Sequence, residues 1–281
     1  MDEQQRGGVD AGILVDPAAR PVIAHRGASA HFPENTIPSF DRAVELGADA
    51  IEFDLRVSRD GEVVIIHDPT VDRTTDGTGA VDSLTLANLK RLDAGARFTP
   101  DGGKTFPFRG RGLTVPTFDE VLARYTSLPL LIEVKIPQAG RLAPDVLGRH
   151  DAGARVVLDS TDADALEPFR GLPLITGASL RDIVTKLPRI LLGLPLGQVA
   201  YRAFCVPLWY NGIPVPVRRL AKTGHRAGFA THVWTVNDPR VAERLWSSGI
   251  NGIISDDPGT MLELRRRVFS AEPAMKGAQR R

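Results

Sequence analysis

Hydrophobic and polar positions along this chain repeat one unit: a short aliphatic or β-branched run, a polar turn, then a stretch with helical spacing. Eight runs fit the unit: VIAH at 22–25, AIEFDL at 50–55, LLIEVK at 130–135, RVVLDS at 155–160, PLITGA at 173–178, AFCV at 203–206, HVWTV at 232–236 and GIISD at 252–256. Runs this apolar read as parallel strands covered by helices, and eight of them predict an α/β fold, a (β/α)8 TIM barrel. Two of the intervening segments carry clear helix signals. TIPSFDRAVELG at 36–47 places Ile37, Phe40, Ala43, Val44 and Leu46 at helical spacing; DPRVAERLWSSG at 238–249 offers Asp238 as N-cap, Pro239 at the first helical position and Gly249 as the stop.

A ninth run, VVIIH at 63–67, follows AIEFDLRVS after only RDGE. A link this short with an Asp-Gly turn makes a hairpin, whereas parallel neighbours need a crossover of about a dozen residues, so the run is expected as an antiparallel arm. The Gly-, Thr-, Asp- and Pro-rich segment from Asp68 to Gly112, with one helical piece in SLTLANLKRL, extends it into an insertion of about 63–112 over the barrel mouth. The expected organisation is an N-terminal extension at 1–20, a barrel at 21–265 and a flexible basic tail at 266–281.

Composition narrows the partners. Lys plus Arg number 35 against 34 for Asp plus Glu, a net charge of +1 that attracts no nucleic acid or other polyanion. The single cysteine, Cys205, sits in apolar AFCVPLW and is expected as a buried, inert thiol of a reducing compartment. The first twenty residues carry Asp2, Glu3, Asp10 and Asp16 and lack the apolar run of a signal peptide, which makes the expected location cytoplasmic. The apolar stretch from Ile190 to Val217 contains Arg202 and several prolines and is not a membrane span. It reads as a barrel helix followed by a core strand; the alternative is an exposed patch at 190–210 that accepts an acyl chain or rests peripherally on a membrane.

The chemistry lies at the strand ends, because the carboxyl ends of barrel strands face the mouth where catalysis occurs. The first three barrel strands end in His25-Arg26, Glu52-x-Asp54 and Glu133-x-Lys135. Residues at i and i+2 share one face of a strand, so Glu52 and Asp54 point together, as do Glu133 and Lys135. Three converging carboxylates without a cysteine or a zinc-spaced histidine pair form an oxygen-rich site for one hard divalent cation, Mg²⁺ or Ca²⁺. Separate pairing of Glu52 and Asp54 with Arg56 or Arg59 is the structural alternative; acidic residues repeated inside two otherwise apolar strands favour the metal site.

His25 and His67 each end a hydrophobic run, and two imidazoles at one mouth can divide general-base and general-acid work. Arg26 offers a planar fork for a phosphate and Lys135 a point charge. A phosphate diester needs its nonbridging oxygens neutralised, its nucleophile deprotonated and its leaving oxygen protonated, and this set supplies each role.

HRGASAHFPENTIPSF, GADAIEFDLRVSRDGEVVIIHDPTVDRTTDGTG, LLIEVK, HVWTVND and GINGIISDDP closely resemble the glycerophosphodiester phosphodiesterase family, with matches from Val22 to Pro258. The resemblance implies a phosphodiesterase barrel that hydrolyses glycerophosphodiesters to glycerol 3-phosphate and an alcohol with a divalent cation. It further implies that His25 and His67 are the acid–base pair, that Glu52, Asp54 and Glu133 bind the metal, that Arg26 and Lys135 hold the phosphate, and that Trp234 is the aromatic residue of the substrate pocket. The matching PENT residues, Pro33 to Thr36, read as a loop in which Asn35 or Thr36 caps the next helix. His31, His150, His225 and His232 read as surface or packing residues, and GTG at 77–79 lacks the lysine of a nucleotide cradle. The resemblance thins between Pro137 and Thr231, which leaves the alcohol open. A lysophospholipase D-type reaction at the same site is one alternative. A non-catalytic phosphoester-binding protein is another, though a binder has no need of a second histidine.

Overall fold

The computed structural model describes residues 10–270. Its strands are β1 (Val22–His25), β2 (Ala50–Val57), β3 (Val63–Ile65), β4 (Leu130–Val134), β5 (Val156–Asp159), β6 (Ile175–Thr176), β7 (Ala203–Pro207), β8 (Trp209–Tyr210), β9 (Ile213–Pro214), β10 (Ala230–Trp234) and β11 (Gly252–Ser255). Its α-helices are α1 (Gly12–Val15), α2 (Ile37–Leu46), α3 (Leu86–Leu89), α4 (Phe118–Arg124), α5 (Pro137–Arg149), α6 (Ala163–Leu166), α7 (Leu180–Leu192), α8 (Val217–Ala227), α9 (Pro239–Ser247) and α10 (Pro258–Ser270). The parallel strands run in the order β6-β5-β4-β2-β1-β11-β10-β7. A parallel bridge from Gly177 to Ala203, with Ala178 N–H donating to Ala203 O at 2.9 Å and Arg202 N–H to Thr176 O at 2.8 Å, joins the ends of that order. The result is the expected (β/α)8 barrel, each of its eight strands overlapping one of the apolar runs.

The period of two divides each strand between two cores. In β2, Ile51, Phe53 and Leu55 belong to the outer core under the helices, whereas Ala50 belongs to an inner cluster with Ile23, Leu131, Val157, Ala203, Cys205 and Ile254. Glu52 and Asp54 follow Ala50 at i+2 and i+4 and therefore face inward. The same count from Leu131 turns Glu133 and Lys135 inward, and from Ile23 it turns His25 inward. Parallel register then sets His25 beside Glu52, Asp54 beside Glu133 and Glu133 beside Asp159.

The segment before β1 closes the amino end of the barrel. Ala11 and Leu14 are fully buried in the inner cluster, and His232 Nε2, buried under them, donates to Leu14 O at 2.7 Å. Burying a leucine contributes about 1.5–3 kcal/mol, so residues expected as an extension take part in the barrel core. At the other end α10 continues through Ser270, past the boundary placed at 265, so 266–270 are helical; the rest of the basic tail lies outside the described residues.

β3 pairs antiparallel with β2, Val63 opposite Val57 and Ile65 opposite Leu55, as the short link requires. The insertion has a core of its own, in which Val64, Ile66, Val71, Val81, Leu89, Ala94 and Val115 pack together. The apolar stretch after α7 holds β7 as a core strand and then a hairpin that the eight-run reading did not contain. β8 and β9 pair antiparallel around Asn211 (φ 48°) and Gly212 (φ 78°), the Asn-Gly turn geometry of a tight hairpin. Its Trp209 and Ile213 are 64% and 69% exposed, and Leu192 at the end of α7 is 74% exposed. Among the described residues no helix is long and apolar enough to cross a membrane.

Candidate active site

The carboxyl ends of the strands enclose a cleft of about 520 Å³ lined by His25, Arg26, Glu52, His67, Glu133, Lys135 and Trp234, together with Leu131, Asp159, Cys205, Thr235 and Ile254. Seven of the eight expected site residues therefore line one cavity. The eighth, Asp54, is fully buried beside it.

Both histidines are fixed by a carboxylate at Nδ1. His25 Nδ1 donates to Asp256 Oδ1 at 2.6 Å, and Asp256 also accepts from Ser29 Oγ at 2.9 Å and Asn237 Nδ2 at 2.6 Å. His67 Nδ1 donates to Asp68 Oδ1 at 2.6 Å. A carboxylate accepts, so Nδ1 carries the proton in each ring and Nε2 is the nitrogen left for substrate. The two environments differ. Burial pulls the His25 pKa down, but the Asp256 hydrogen bond and the Glu52 carboxylate outweigh it and hold the imidazole above the ordinary histidine value. Burial, with Lys135 and Arg26 nearby, keeps His67 below that value despite Asp54 and Asp68.

The acidic cluster is interleaved with the two cations. Arg26 adopts a left-handed backbone (φ 54°), its N–H donates to Glu52 Oε2 at 3.0 Å, and its guanidinium donates to Glu34 at 2.8 Å and lies 3.3 Å from Asp54. Lys135 Nζ stands 2.6 Å from Glu133 and 3.0 Å from Asp54. Glu52, Asp54 and Glu133 each present an oxygen, all three within 4.8 Å of one another. Burial, and next the Asp54 charge, push the Glu52 carboxyl up to about 8. Burial works the same way on Asp54, but Lys135 and Arg26 overcome it and hold Asp54 below its ordinary value. An all-oxygen donor set with this much like-charge crowding fits a hard divalent cation.

The expected caps take other work. Thr36 stands at the N-cap of α2 in extended conformation, but its hydroxyl donates to Pro33 O at 2.6 Å, while Asn35 Nδ2 donates to Asp54 Oδ2 at 2.8 Å; neither side chain caps the helix. Helix α2 starts without a side-chain cap because Pro38 at its first turn already lacks an N–H, and the PENT loop instead orders the site. Arg73, in the insertion, donates to Glu34 at 2.6 and 2.8 Å and to Asp68 at 2.6 Å, tying that loop to the carboxylate that holds His67. His31, His150 and His225 stand outside the cleft, and His232 is buried in the barrel floor. Cys205 is buried at the cleft wall, where burial, Asp159 and Glu133 push its thiol pKa well up.

Asp256, Asp159, Arg73 and Asn35 were not among the expected site residues. Asp256 and Asp159 did carry a signal, since Asp256 ends the run GIISD and Asp159 stands one residue before the end of RVVLDS, both at the mouth side. Arg73 and Asn35 lie in loops, where no period marks direction.

The model of the glycerophosphoryl diester phosphodiesterase family matches residues 25–260. The chain is 35% identical to a glycerophosphodiester phosphodiesterase of Caldanaerobacter subterraneus subsp. tengcongensis over 88% of this chain and 98% of that one, and 30% identical to one of Bacillus subtilis over 91% and 89%. A phosphodiesterase of Oleispira antarctica, solved with the product sn-glycerol-3-phosphate, superposes with a TM-score of 0.70 at 25% identity, covering 88% of this chain and 97% of its own. The glycerophosphoryl diester phosphodiesterase domain of a Mycobacterium tuberculosis protein shares the fold, with a TM-score of 0.76 at 21% identity over 89% and 99% of the two chains. The chain belongs to the glycerophosphoryl diester phosphodiesterase family and is an enzyme of the phosphoric diester hydrolase class.

Proposed function

We propose that this enzyme hydrolyses glycerophosphodiesters to glycerol 3-phosphate and an alcohol, in a reaction that depends on a divalent cation and uses His25 and His67 as its acid–base pair. The observation that carries the proposal is the convergence of two carboxylate-fixed histidines, one arginine and one lysine on a single cleft beside three carboxylates. The product found in the Oleispira antarctica relative supports the glycerol 3-phosphate half.

Glu52, Asp54 and Glu133 would hold the cation, which when bound neutralises phosphate oxygens and orients glycerol hydroxyls. Arg26 and Lys135 bind the remaining phosphate oxygens, and Trp234 forms a wall for substrate. One histidine takes the proton of a glycerol hydroxyl as its oxygen bonds to phosphorus; the phosphorus–alcohol bond breaks, and the other histidine protonates the departing oxygen. Water then opens the resulting cyclic phosphate with the two roles exchanged, which leaves glycerol 3-phosphate and restores both rings. Asp256 and Asp68 keep each ring in one tautomer and stabilise its protonated form.

Stereochemistry tests the route. A substrate chiral at phosphorus gives net retention after two in-line displacements, and a slowed variant accumulates the cyclic phosphate. Net inversion, with solvent oxygen entering in a single step, contradicts it.

A further inference from the structure

The chain as a whole balances 35 Lys and Arg against 34 Asp and Glu, but the balance is uneven along it. From Ile183 to Asn237 there is no Asp or Glu, while seven Lys and Arg fall in the same stretch. That stretch runs from α7 through β7, the β8–β9 hairpin and α8 to the end of β10, so one sector of the barrel carries positive charge with no counter-charge of its own.

The hairpin stands at the mouth of this sector. It follows the carboxyl end of β7, and its Tyr210 lines a cavity that shares Trp234 with the catalytic cleft. Trp209 and Ile213 are held outward, 64% and 69% exposed, and Pro214, paired with Trp209 across the hairpin, is exposed as well. Contiguous apolar surface of this kind marks an interaction site. Arg218 and Arg219 follow in the first turn of α8, and Arg218 lines an open groove with Arg240, Arg244 and Glu243, a surface of net positive charge.

Three kinds of partner can cover an apolar tip beside arginines. A second copy related by a twofold axis would set this positive surface against its own image. A nucleic acid would answer the arginines and stack on Trp209, but would leave Ile213 and Pro214 against phosphates. An anionic bilayer answers both features: indole and aliphatic side chains sit at the boundary of headgroups and acyl chains, and arginines meet the lipid phosphates.

We propose that the β8–β9 hairpin is a membrane-docking element that seats the barrel mouth on an anionic lipid bilayer, with Trp209 and Ile213 at the interface and Arg218 and Arg240 at the headgroups. Docking is read as binding, without turnover, so it stands or falls independently of the hydrolase reading. Sedimentation of the full chain with vesicles of phosphatidylcholine alone, or mixed in equal parts with phosphatidylglycerol, tests it at low and high salt. The native protein should bind the anionic vesicles at least about tenfold more tightly than the neutral ones and lose most of that advantage at high salt. Trp209→Ser combined with Ile213→Ser should weaken binding about tenfold or more, and Arg218→Gln combined with Arg240→Gln should weaken it by a similar factor. All four side chains are exposed, so neither variant should melt lower than the native protein. Bromine-labelled acyl chains should quench the fluorescence of the native protein but not that of Trp209→Phe, which keeps Trp234 and Trp246.

Native protein that stays in solution beside anionic vesicles would overturn the proposal, as would a hairpin variant that binds them as tightly as the native chain. Tighter binding of single-stranded DNA than of vesicles would overturn it by giving the surface to nucleic acid. A lipid-free dimer that Trp209→Ser dissociates would overturn it by giving the hairpin to a second copy.

Discussion

Asp256 Oδ1 and His25 Nδ1 stand 2.6 Å apart although 231 positions separate them in the chain. The contact exists because β11 is the parallel neighbour of β1, with Ala24 opposite Ser255, so the residues that follow both strands meet at the mouth. Asp256→Asn keeps the shape of the side chain but loses the charge and presents an amide that can donate where His25 must donate, which favours the wrong tautomer. The expected result is a fall in kcat of about 10–100-fold with KM within a few-fold, and an acid shift of the pH–rate limb that reports His25. Steady-state kinetics across pH checks it; unchanged kcat would remove Asp256 from the mechanism.

Arg73 joins Glu34 of the PENT loop to Asp68 behind His67. Its side chain is 48% exposed, so Arg73→Ala should change thermal stability by no more than about 1 kcal/mol. Activity should fall further, by about tenfold in kcat, since a loosened His67 no longer holds reacting geometry. Arg73→Lys should restore little, because one ammonium cannot bridge two carboxylates as the guanidinium fork does. Comparison of kcat with melting temperature separates the two effects.

The crowding of Glu52 against Asp54 gives a prediction for the cation. Without divalent metal, Glu52→Gln should melt no lower than the native protein, because a carboxyl held at about 8 is already largely protonated near neutral pH and Gln keeps its shape and an oxygen to accept from Arg26 N–H. With Mg²⁺ or Ca²⁺ at about a hundred times its dissociation constant the native protein should gain about 2.7 kcal/mol and the variant far less. Calorimetric melting with cation and with chelator reads both arms, and equal gains would place the cation elsewhere.

His232 sets a pH dependence of folding. Burial holds its pKa at about 4, against 6.5 for a free histidine, though its hydrogen bond to Leu14 O acts the other way. Between these values the unfolded chain takes up a proton that the native ring refuses, so its effect on stability is absent above pH 6.5 and destabilises progressively down to about pH 4. The loss is on the order of 3 kcal/mol. His232→Gln should flatten the dependence of stability on pH in that window; denaturant unfolding from pH 7 to 4.5 measures it, and parallel curves would contradict the assignment.

The parts read directly from the sequence are those in which a period fixes direction. Every other residue of β2 and β4 faces the barrel interior, so Glu52, Asp54, Glu133 and Lys135 could be placed together before any coordinates, and His25 and His67 followed from the apolar runs they end. Loops carry no such period, and Asn35 and Arg73 reach the site through backbone turns that residue type does not specify. The β8–β9 hairpin had its Asn-Gly signal, hidden within a stretch read as helix and core strand. Leu14 joined the core because the amino end of a barrel needs a cover, a requirement of the assembled fold that no local pattern states.

The most direct test is release of glycerol 3-phosphate from glycerophosphocholine with Mg²⁺, with Ca²⁺ and with chelator, for the native enzyme beside His25→Ala and Glu52→Gln. The expected result is release that needs a divalent cation and is lost by at least about a hundredfold in both variants. Release that persists in chelator, or survives in either variant, would contradict the account.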